Sequence, residues 1–330
     1  MIVNTTEKPK GKKETRCCID LGSSYFRKLS VEVETGPGAL LVGDPVQDRA
    51  YIGWGEEVGC SGVISRETID RAAGLLGRLT GDMVGCDDVR LTVVATNVLR
   101  VASNRDEARS RLEDTTGVKI NILSERGEAF LGFAGAASDL PAGERAILAD
   151  PGGTSTELSW GVTPGASGFL SIPVGTHSAH MYGNDLYEMI SGALKKPGGP
   201  YGDSYLPVSE ESHTIMFTGG TAVSLAVVWK QMNGEEYSDE VLNVISVEEL
   251  EKVLEWLDSL YGSGAERNLA LPPERIKLLP QGSAIVRALV AALLVKNIMI
   301  TARDLRWGVV LGEGITERGY LADEQESPDS

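Results

Sequence analysis

The sequence is poor in the residues that build disulfide frameworks and zinc sites. It contains four cysteines and three histidines in 330 residues, and the cysteines show no C-x-x-C spacing. Cys17 and Cys18 are adjacent at the end of an apolar run, which is a poor frame for a disulfide. The pattern therefore predicts reduced thiols in a cytoplasmic protein and argues against a zinc site.

The chain also lacks a long apolar segment without charge. Its most apolar stretch, residues 284–300 (AIVRALVAALLVKNIMI), is interrupted by Arg287 and Lys296 and predicts a buried helix, not a membrane span. The first residues are polar and basic, without the apolar centre of a secretion signal, so we expect a disordered lead-in over 1–15. A disordered acidic tail is expected over 323–330.

Positive charge is scarce. Thirty-one Lys and Arg residues stand against 47 Asp and Glu, which gives a formal net charge of −16. Such a field repels nucleic acid, whose binding depends on phosphate neutralisation by basic side chains. A small polyanionic ligand is still compatible with this charge if cations are concentrated in a cleft.

The patterning of the chain predicts a two-domain α/β protein. A length of 330 residues fits two domains, and a hydrophobic content of 42% is that of a globular protein. Strand patterns alternate with helical ones, which indicates mixed sheets. Three helices have start signals: Ser65, the Ser103/Asp106 pair followed by a stop at Gly117, and the Ser246/Glu249 pair.

A strand, a glycine turn and a returning strand occur twice. The first copy is RCCIDLGSS followed by RKLSVEVETG, and the second is AILAD, PGGTST and ELSWGV, with GFLSIPVG as a third strand. An aspartate stands at the same place in both copies, as Asp20 and Asp150. This repeat favours two related domains, although Asp-x-Gly after a strand is common enough to arise by chance.

At these motifs the sequence resembles the exopolyphosphatase and guanosine pentaphosphate phosphohydrolase family of the actin, sugar kinase and heat-shock ATPase superfamily. IDLGSS resembles its first phosphate loop, VVATNVLR its Leu-Arg segment, and LSERGEAFLG the segment that carries the catalytic glutamate. LADPGGTSTEL, SIPVGT, FTGGTA, PERIKLLPQGSAIV and DLRWGVV follow in the family's order, over about residues 17–314.

The resemblance implies a fold and a set of roles. It implies two ribonuclease H-like actin-type domains with mixed sheets facing a central cleft, over 16–126 and 127–308, with a C-terminal helix over 309–322 returning to the first domain. Glu128 is expected to activate the attacking water, and Asp20, Asp150 and Glu157 to bind Mg²⁺, with Mn²⁺ or K⁺ as alternatives. The expected phosphate-binding residues are Gly22, Ser23, Arg27, Arg100, Gly152, Gly153, Thr154, Ser155, Gly219 and Gly220.

The implied activity is removal of terminal phosphate from inorganic polyphosphate or of the 5′ phosphate from guanosine pentaphosphate. Expected partners are these anions, with neither nucleic acid nor a membrane, and a homodimer is left open. Two alternatives remain: an ATP-dependent kinase or ATPase on the same fold, and a protein that binds polyphosphate or guanosine alarmones with little turnover.

The sequence departs from the family pattern at a few positions. Tyr25 follows the first loop where a smaller polar residue is usual, and Thr154 replaces a glycine in the second. A β-branched residue does not easily take a positive φ, so Thr154 predicts a shifted second loop. Lys277 and Trp307 also differ and affect the expected specificity more than the chemistry.

Overall fold

The computed structural model describes residues 12–34, 40–195, 213–239, 241–312 and 320–322. The chain forms two compact units: unit 1 comprises Met1–Ser124 and Val309–Ser330, and unit 2 comprises Glu125–Gly308. Most of the expected lead-in and the whole expected acidic tail lie outside the described residues. The first strand begins at Lys13, however, so residues 13–15 of the expected lead-in are part of the sheet, since Lys13 pairs with Glu34 and Thr15 with Val89.

Unit 1 contains a mixed six-stranded sheet. Its strands are β1 (Lys13–Leu21), β2 (Tyr25–Glu34), β3 (Leu40–Leu41), β4 (Val46–Tyr51), β5 (Val89–Ala95) and β6 (Ile120–Ile122). The order is β3-β2-β1-β5-β6, and β4 also pairs with β2. β1 runs antiparallel to β2 and parallel to β5, and β5 is parallel to β6.

The four helices named here in unit 1 have Gly53, Ser65, Thr96 and Asn104 as their N-cap residues. They are α1 (Trp54–Ser61), α2 (Arg66–Thr80), α3 (Asn97–Val101) and α4 (Arg105–Thr116). The Ser65 side chain accepts a hydrogen bond from the N–H of Thr68, which confirms the predicted cap of α2. The cap predicted for α4 is wrong: Asn104 is its N-cap residue, and the Ser103 hydroxyl donates instead to the carbonyl of Gly62.

The late residues of the chain complete unit 1. The Arg16 guanidinium, on the buried strand β1, donates hydrogen bonds to the carbonyl oxygens of Val310 at 3.0 Å and Gly312 at 2.8 Å. The N–H of Ser124 donates to the carbonyl of Tyr320 at 2.8 Å. Strand β1 is thus joined directly to a segment almost three hundred residues later.

Unit 2 contains a second mixed six-stranded sheet. Its strands are β7 (Arg145–Pro151), β8 (Thr156–Val162), β9 (Gly165–Ile172), β10 (Thr214–Phe217), β11 (Asn243–Ser246) and β12 (Asn297–Ile300). The order is β11-β12-β10-β7-β8-β9. β7, β8 and β9 form an antiparallel meander, whereas β10 and β12 run parallel to β7.

The helices of unit 2 cover both faces of this sheet. They are α5 (Glu125–Ala136), α6 (Leu186–Lys195), α7 (Gly219–Met232), α8 (Val247–Leu260), α9 (Pro273–Leu293) and α10 (Leu305–Leu311), of which the last crosses the division between the units. The capping box predicted at Ser246 and Glu249 is present at the start of α8. Helix α10 ends at Leu311, so only residues 309–311 of the helix expected over 309–322 are helical among the described residues; residues 313–319 lie outside the described part, and Leu321 forms an isolated β-bridge with Leu123.

The most apolar segment is divided between two elements. Helix α9 ends at Leu293, and residues 297–300 form strand β12, so the helix predicted through residue 300 is too long. Among the described residues, α9 alone is long and apolar enough to cross a membrane by length and composition, and half of its apolar window is buried in the protein. Its buried residues belong to the apolar core of unit 2, as a buried core helix requires.

The two sheets share one plan. In each, two antiparallel strands are joined by a tight glycine turn, 22–25 in unit 1, which includes the first residue of β2, and 152–155 in unit 2. Next to the first strand of each pair the sheet continues with two parallel strands. Each turn closes in the same way: the N–H of Gly22 donates to the carbonyl of Tyr25 at 3.1 Å, and that of Gly152 to Ser155 at 2.9 Å. This correspondence supports the duplication that the sequence pattern suggests.

Candidate functional site

The second glycine turn, residues 152–155, lies between β7 and β8 and is held by a neighbouring segment. The carbonyl of Gly152 accepts from the N–H of Thr176 at 3.0 Å, and that of Gly153 from the N–H of His177 at 2.9 Å. The N–H of Gly152 is used to close the turn itself. The N–H of Gly152 is therefore directed into the turn and not to a phosphate.

A row of polar side chains crosses the sheet of unit 2 beside this turn. Asp150 on β7 pairs with Glu157 on β8, and Glu157 pairs with Ser171 on β9. Directly paired residues of neighbouring antiparallel strands point to the same face, with Cβ atoms about 4.5–5.5 Å apart. The fold thus brings two of the predicted metal ligands together and adds a serine to them.

The face that carries this row is the one covered by α5. Side chains alternate along a strand, so Asp150 shares its face with Ala146 and Leu148. Those two residues form a small core with Phe133 of α5. Glu128, the predicted catalytic base, lies five residues earlier on the same helix.

Glu128 is half-buried on α5, in a part of the helix that packs on β9. The ring of Phe130 meets that of Phe169 edge to face, with 6.0 Å between the ring centres. Phe169 precedes Ser171 by two residues and is therefore on the same face of the sheet. This contact fixes the N-terminal half of α5 against the strand that ends beside Glu157.

Two hydroxyl groups donate to one oxygen of Glu157. The Ser155 Oγ donates a short hydrogen bond to Oε1, and the Ser171 Oγ donates to the same atom at 3.4 Å. The other oxygen, Oε2, lies on the side of Gly152, where a Cβ atom would stand 3.7 Å away. Glycine at 152 therefore keeps space open next to this carboxylate.

The first residues of α7 lie next to Asp150, at the other end of this row of polar side chains. Gly219 has a φ of 80°, which favours glycine, and a Cβ there would lie 2.1 Å from the Oδ1 of Asp150. A Cβ on Gly220 would lie 1.8 Å from the Nη1 of Arg275. The main chain at the positive end of this helix is thus in contact with a carboxylate and a guanidinium.

In unit 1 the first glycine turn, residues 22–25, is anchored by the start of α1. The carbonyls of Gly22, Ser23 and Ser24 accept from the Trp54 indole, Gly55 and Ile52 respectively, at 2.9 to 3.0 Å. Arg100, half-buried on α3, donates to the carbonyl of Leu123 at 2.9 Å. These contacts hold the first turn to the start of α1, and Arg100 to the residue that follows β6.

Asp20 and Arg27, predicted as a metal ligand and a phosphate ligand, are paired with each other. Both Nε and Nη2 of Arg27 donate to Oδ2 of Asp20, at 3.1 Å and 2.6 Å. The Asp20 side chain is 1% exposed and that of Arg27 is 25% exposed. The two are cross-strand partners on β1 and β2, which explains why they meet.

The donors in unit 2 fit a magnesium site of the kind that accompanies phosphate. Among the described residues no group of three or more His, Cys, Asp or Glu side chains could hold a metal ion. Mg²⁺ is commonly bound by one or two carboxylates together with water and substrate phosphate. Asp150 and Glu157 satisfy that requirement by chemistry and placement, whereas one oxygen of Asp20, Oδ2, accepts from Arg27.

The departures from the family pattern have local explanations. Tyr25 is buried and packs edge to face on Tyr51, with 5.3 Å between ring centres. Thr154 does not take a positive φ, since Leu294 is the described non-glycine residue that does. Trp307 is buried beneath the guanidinium of Arg303, 4.6 Å from the ring centre.

Two residues next to the site, Ser171 and Arg275, were not among the predicted site residues. Ser171 belongs to the SIPVGT motif, yet its register opposite Glu157 appears only once the strands are paired. Arg275 follows two prolines at the start of α9, and a long-range contact with Gly220 brings it to α7. Strand alternation could have suggested Ser171, but nothing local in the sequence indicates the contact of Arg275.

The chain resembles solved structures over nearly its whole length. It superposes on the Aquifex aeolicus member of the Ppx/GppA protein family with a TM-score of 0.73 at 18% identity, covering 91% of this chain and 97% of that one. It superposes on an exopolyphosphatase from Cytophaga hutchinsonii with a TM-score of 0.72 at 17% identity, covering 90% and 96%. At these identities the likeness shows the fold, a two-domain actin-like α/β architecture.

Curated relatives are longer than this chain. A guanosine-5'-triphosphate,3'-diphosphate pyrophosphatase from Photobacterium profundum is 23% identical over 299 residues, which are 88% of this chain and 58% of that protein. A bifunctional 3-dehydroquinate synthase/phosphatase from Fusobacterium nucleatum is 27% identical over 166 residues, which are 49% of this chain and 25% of that protein. The chain thus spans little more than half of the first relative and a quarter of the second.

The model of one family matches most of the chain. Residues 47–316 match the Ppx/GppA phosphatase family, a range that includes Glu128, Asp150 and Glu157 and leaves out β1 and β2 with Asp20 and Arg27. The match, the motif order and the fold agree on one assignment. The chain belongs to the Ppx/GppA phosphatase family.

Proposed function

We propose that the protein is a metal-dependent phosphohydrolase. It removes the terminal phosphate of inorganic polyphosphate or the 5′ phosphate of guanosine pentaphosphate. The observation that carries the proposal is the Asp150–Glu157 pair at the mouth of a glycine turn, on the face of the sheet covered by the helix of Glu128. Family membership and the activity for which the Photobacterium relative is named support the same substrate class.

The chemistry assigns one task to each group. Glu128 orients a water molecule and accepts its proton while the water oxygen attacks the terminal phosphorus, and the bond from that phosphorus to the bridging oxygen breaks. Inorganic phosphate and the shortened anion are the products. A bound Mg²⁺, held by Asp150 and Glu157, would offset the negative charge of the phosphate oxygens.

The remaining predicted residues bind the anion. Main-chain N–H groups of Gly153, Thr154 and Ser155 offer donors at the second turn, and the start of α7 adds the positive end of a helix dipole. Ser23 and Arg100 keep their predicted role as phosphate-binding residues, whereas the N–H of Gly22 closes the first turn, as that of Gly152 closes the second. Asp20 and Arg27 act as a pair, in which Arg27 compensates the buried charge of Asp20.

The test is phosphate release measured in parallel on short polyphosphate, long polyphosphate, guanosine pentaphosphate and ATP. We expect phosphate release from at least one of the first three substrates without any phosphate acceptor. Phosphate release should be lost when the divalent ion is chelated and should return when Mg²⁺ is restored. Turnover that requires ATP together with a second substrate would assign a kinase instead. Tight binding of these anions without release would assign a binding protein.

A further inference from the structure

One serine that is not among the predicted site residues contacts the carboxylate of Glu157, the proposed metal ligand. Ser171 is on β9, directly opposite Glu157 in the antiparallel ladder. Its Oγ donates to Oε1 of Glu157 at 3.4 Å, and the Ser155 Oγ donates to the same oxygen. The two hydroxyls approach from different sides, one from the turn and the other from the neighbouring strand.

The convergence of both hydroxyls on one oxygen has a geometric consequence. A glutamate side chain has three rotatable bonds and occupies several rotamers of similar energy when nothing holds it. Here Oε1 is held by two donors, so Oε2 is directed to the Gly152 side of the turn. Hydrogen bonds to an ionised acceptor are stronger than neutral ones, so such contacts can fix a rotamer.

We propose that Ser171, with Ser155, is a positioning residue that holds Glu157 in the orientation needed to bind a divalent cation. Ser171 touches neither substrate nor the reacting atoms and acts through Glu157. The inference rests on the proposed function, because it assigns Glu157 to the metal ion. Groups that orient a metal ligand in this way typically contribute about 10–100-fold to metal affinity or activity.

The experiment compares three serine substitutions in the full chain. Ser171→Ala removes the hydroxyl, and Ser171→Thr keeps it with a side chain suited to a strand. Ser167→Ala is the matched control: it makes the same change on the same strand, at a hydroxyl that donates to the carbonyl of Trp160 and not to a carboxylate. Thermal unfolding of each variant shows whether the fold is kept.

The first readout is binding of Mn²⁺ without substrate, followed by the loss of the free-ion signal in electron paramagnetic resonance. We expect Ser171→Ala to weaken Mn²⁺ binding about tenfold, and Ser171→Thr and Ser167→Ala to bind like the parent. The second readout is phosphate release at varied Mg²⁺, in which Ser171→Ala should need about tenfold more Mg²⁺.

Glu157→Gln separates the two proposals. If Glu157→Gln loses Mn²⁺ binding while Ser171→Ala keeps it, the positioning role of Ser171 is overturned and the metal site stands. If Glu157→Gln binds Mn²⁺ like the parent, both the assignment of Glu157 and the role of Ser171 fail. An unfolded Ser171→Ala leaves the decision to Ser171→Thr, whose hydroxyl must preserve the affinity if the proposal is right.

Discussion

At the scale of single residues, Asp20 is paired with Arg27, a contact that the sequence analysis did not predict. The sequence places each correctly beside a glycine turn, and the resemblance assigns one to metal and the other to phosphate. Which side chains meet depends on strand register, since Asp20 and Arg27 are opposite each other on β1 and β2. In a hairpin the register is set by the geometry of the turn, and the sequence pattern predicted a glycine turn here without its exact closing residues, so it did not predict this contact.

Removal of Arg27 should destabilise the fold. Arg27→Met would leave the carboxylate of Asp20 buried without its compensating charge, which costs about 3 kcal/mol of unfolding free energy. Urea unfolding followed by circular dichroism measures this loss. The double variant Asp20→Asn, Arg27→Met carries no charge at this buried pair and should recover most of the lost unfolding free energy. If Arg27→Met alone is as stable as the parent, the pair contributes nothing to stability.

The role of Glu128 gives a prediction on rate. Glu128→Gln keeps the size of the side chain and removes the base, so kcat should fall about 10²–10⁴-fold with the fold and Mn²⁺ binding unchanged. Glu125→Gln, on the first turn of the same helix, is the matched control and should keep its rate. Steady-state phosphate release measures both, and near-normal turnover of Glu128→Gln would remove it from this role.

The cysteines give a prediction on reactivity and pH. Cys17 and Cys18 are buried, and Cys60 and Cys86 are exposed, so a thiol reagent at neutral pH should label two thiols rapidly and all four after denaturation. Burial, partly opposed by the charge of Lys28, raises the pKa of Cys17 from its ordinary 9.0 to about 11.

The raised pKa of Cys17 determines how the free energy of unfolding changes with pH. Between about pH 9 and pH 11 the folded state keeps the Cys17 proton that the unfolded state loses. The stability that Cys17 contributes is complete below its unfolded pKa and is lost as pH rises through that window. Unfolding curves of Cys17→Ala should show less loss over this window than the parent; equal losses would exclude the effect.

At the scale of elements, the sequence predicted helices and strands well where local signals decide them. The Ser246–Glu249 box and the Gly117 stop are correct because a cap is a local hydrogen-bond arrangement. Residues 297–300 were misassigned to a helix because a short apolar run reads alike in a buried helix and a buried strand. Pairing with β10 and β11 decides that they form a strand.

The packing of α5 gives a prediction on stability. A Cβ on Gly135 would stand 2.0 Å from the carbonyl oxygen of Asp304 and 2.8 Å from the nitrogen of Gly308, both main-chain atoms. Gly135→Ala should therefore cost about 1–3 kcal/mol of unfolding free energy and reduce kcat, because α5 must shift with Glu128.

A second glycine on the same helix serves as the control. A Cβ on Gly132 would meet Leu148 Cδ2 at 3.8 Å, an ordinary contact. Gly132→Ala should be neutral or stabilise by up to about 1 kcal/mol through helix propensity. Equal effects at the two positions, measured by urea unfolding, would contradict the close packing of α5 on α10.

At the scale of the whole molecule, fold class and family were predictable from the sequence because several motifs occur in a fixed order. Family membership is confirmed, and so is the pair of mixed sheets. The contacts of the site were less predictable, since Ser171 and Arg275 come to it from distant segments. The alternation of residues along a strand indicates on which face of the sheet a side chain lies. It does not indicate which residue of a neighbouring strand lies opposite that side chain.

The net charge of −16 predicts a dependence on salt. A strongly anionic substrate must be attracted by local cations. Arg27 is paired with Asp20, so we expect this attraction from the other basic residues that the sequence offers in its first half, Lys28, Arg100, Arg105 and Arg126. Their attraction is screened over a Debye length of about 8 Å at physiological ionic strength, so KM for polyphosphate should rise steeply with NaCl. The measurement is KM between about 0.05 and 0.5 M NaCl; a constant KM would argue against a basic binding surface.

The hydrogen bonds from Arg16 to the carbonyls of Val310 and Gly312 have a consequence for folding during synthesis of the chain. Synthesis runs from the N-terminus, so β1 leaves the ribosome long before the segment that accepts its hydrogen bonds. Unit 2 is one uninterrupted stretch and has all its residues by position 308, while unit 1 must wait for those that follow. The half of the molecule that is translated first is therefore the last to be finished.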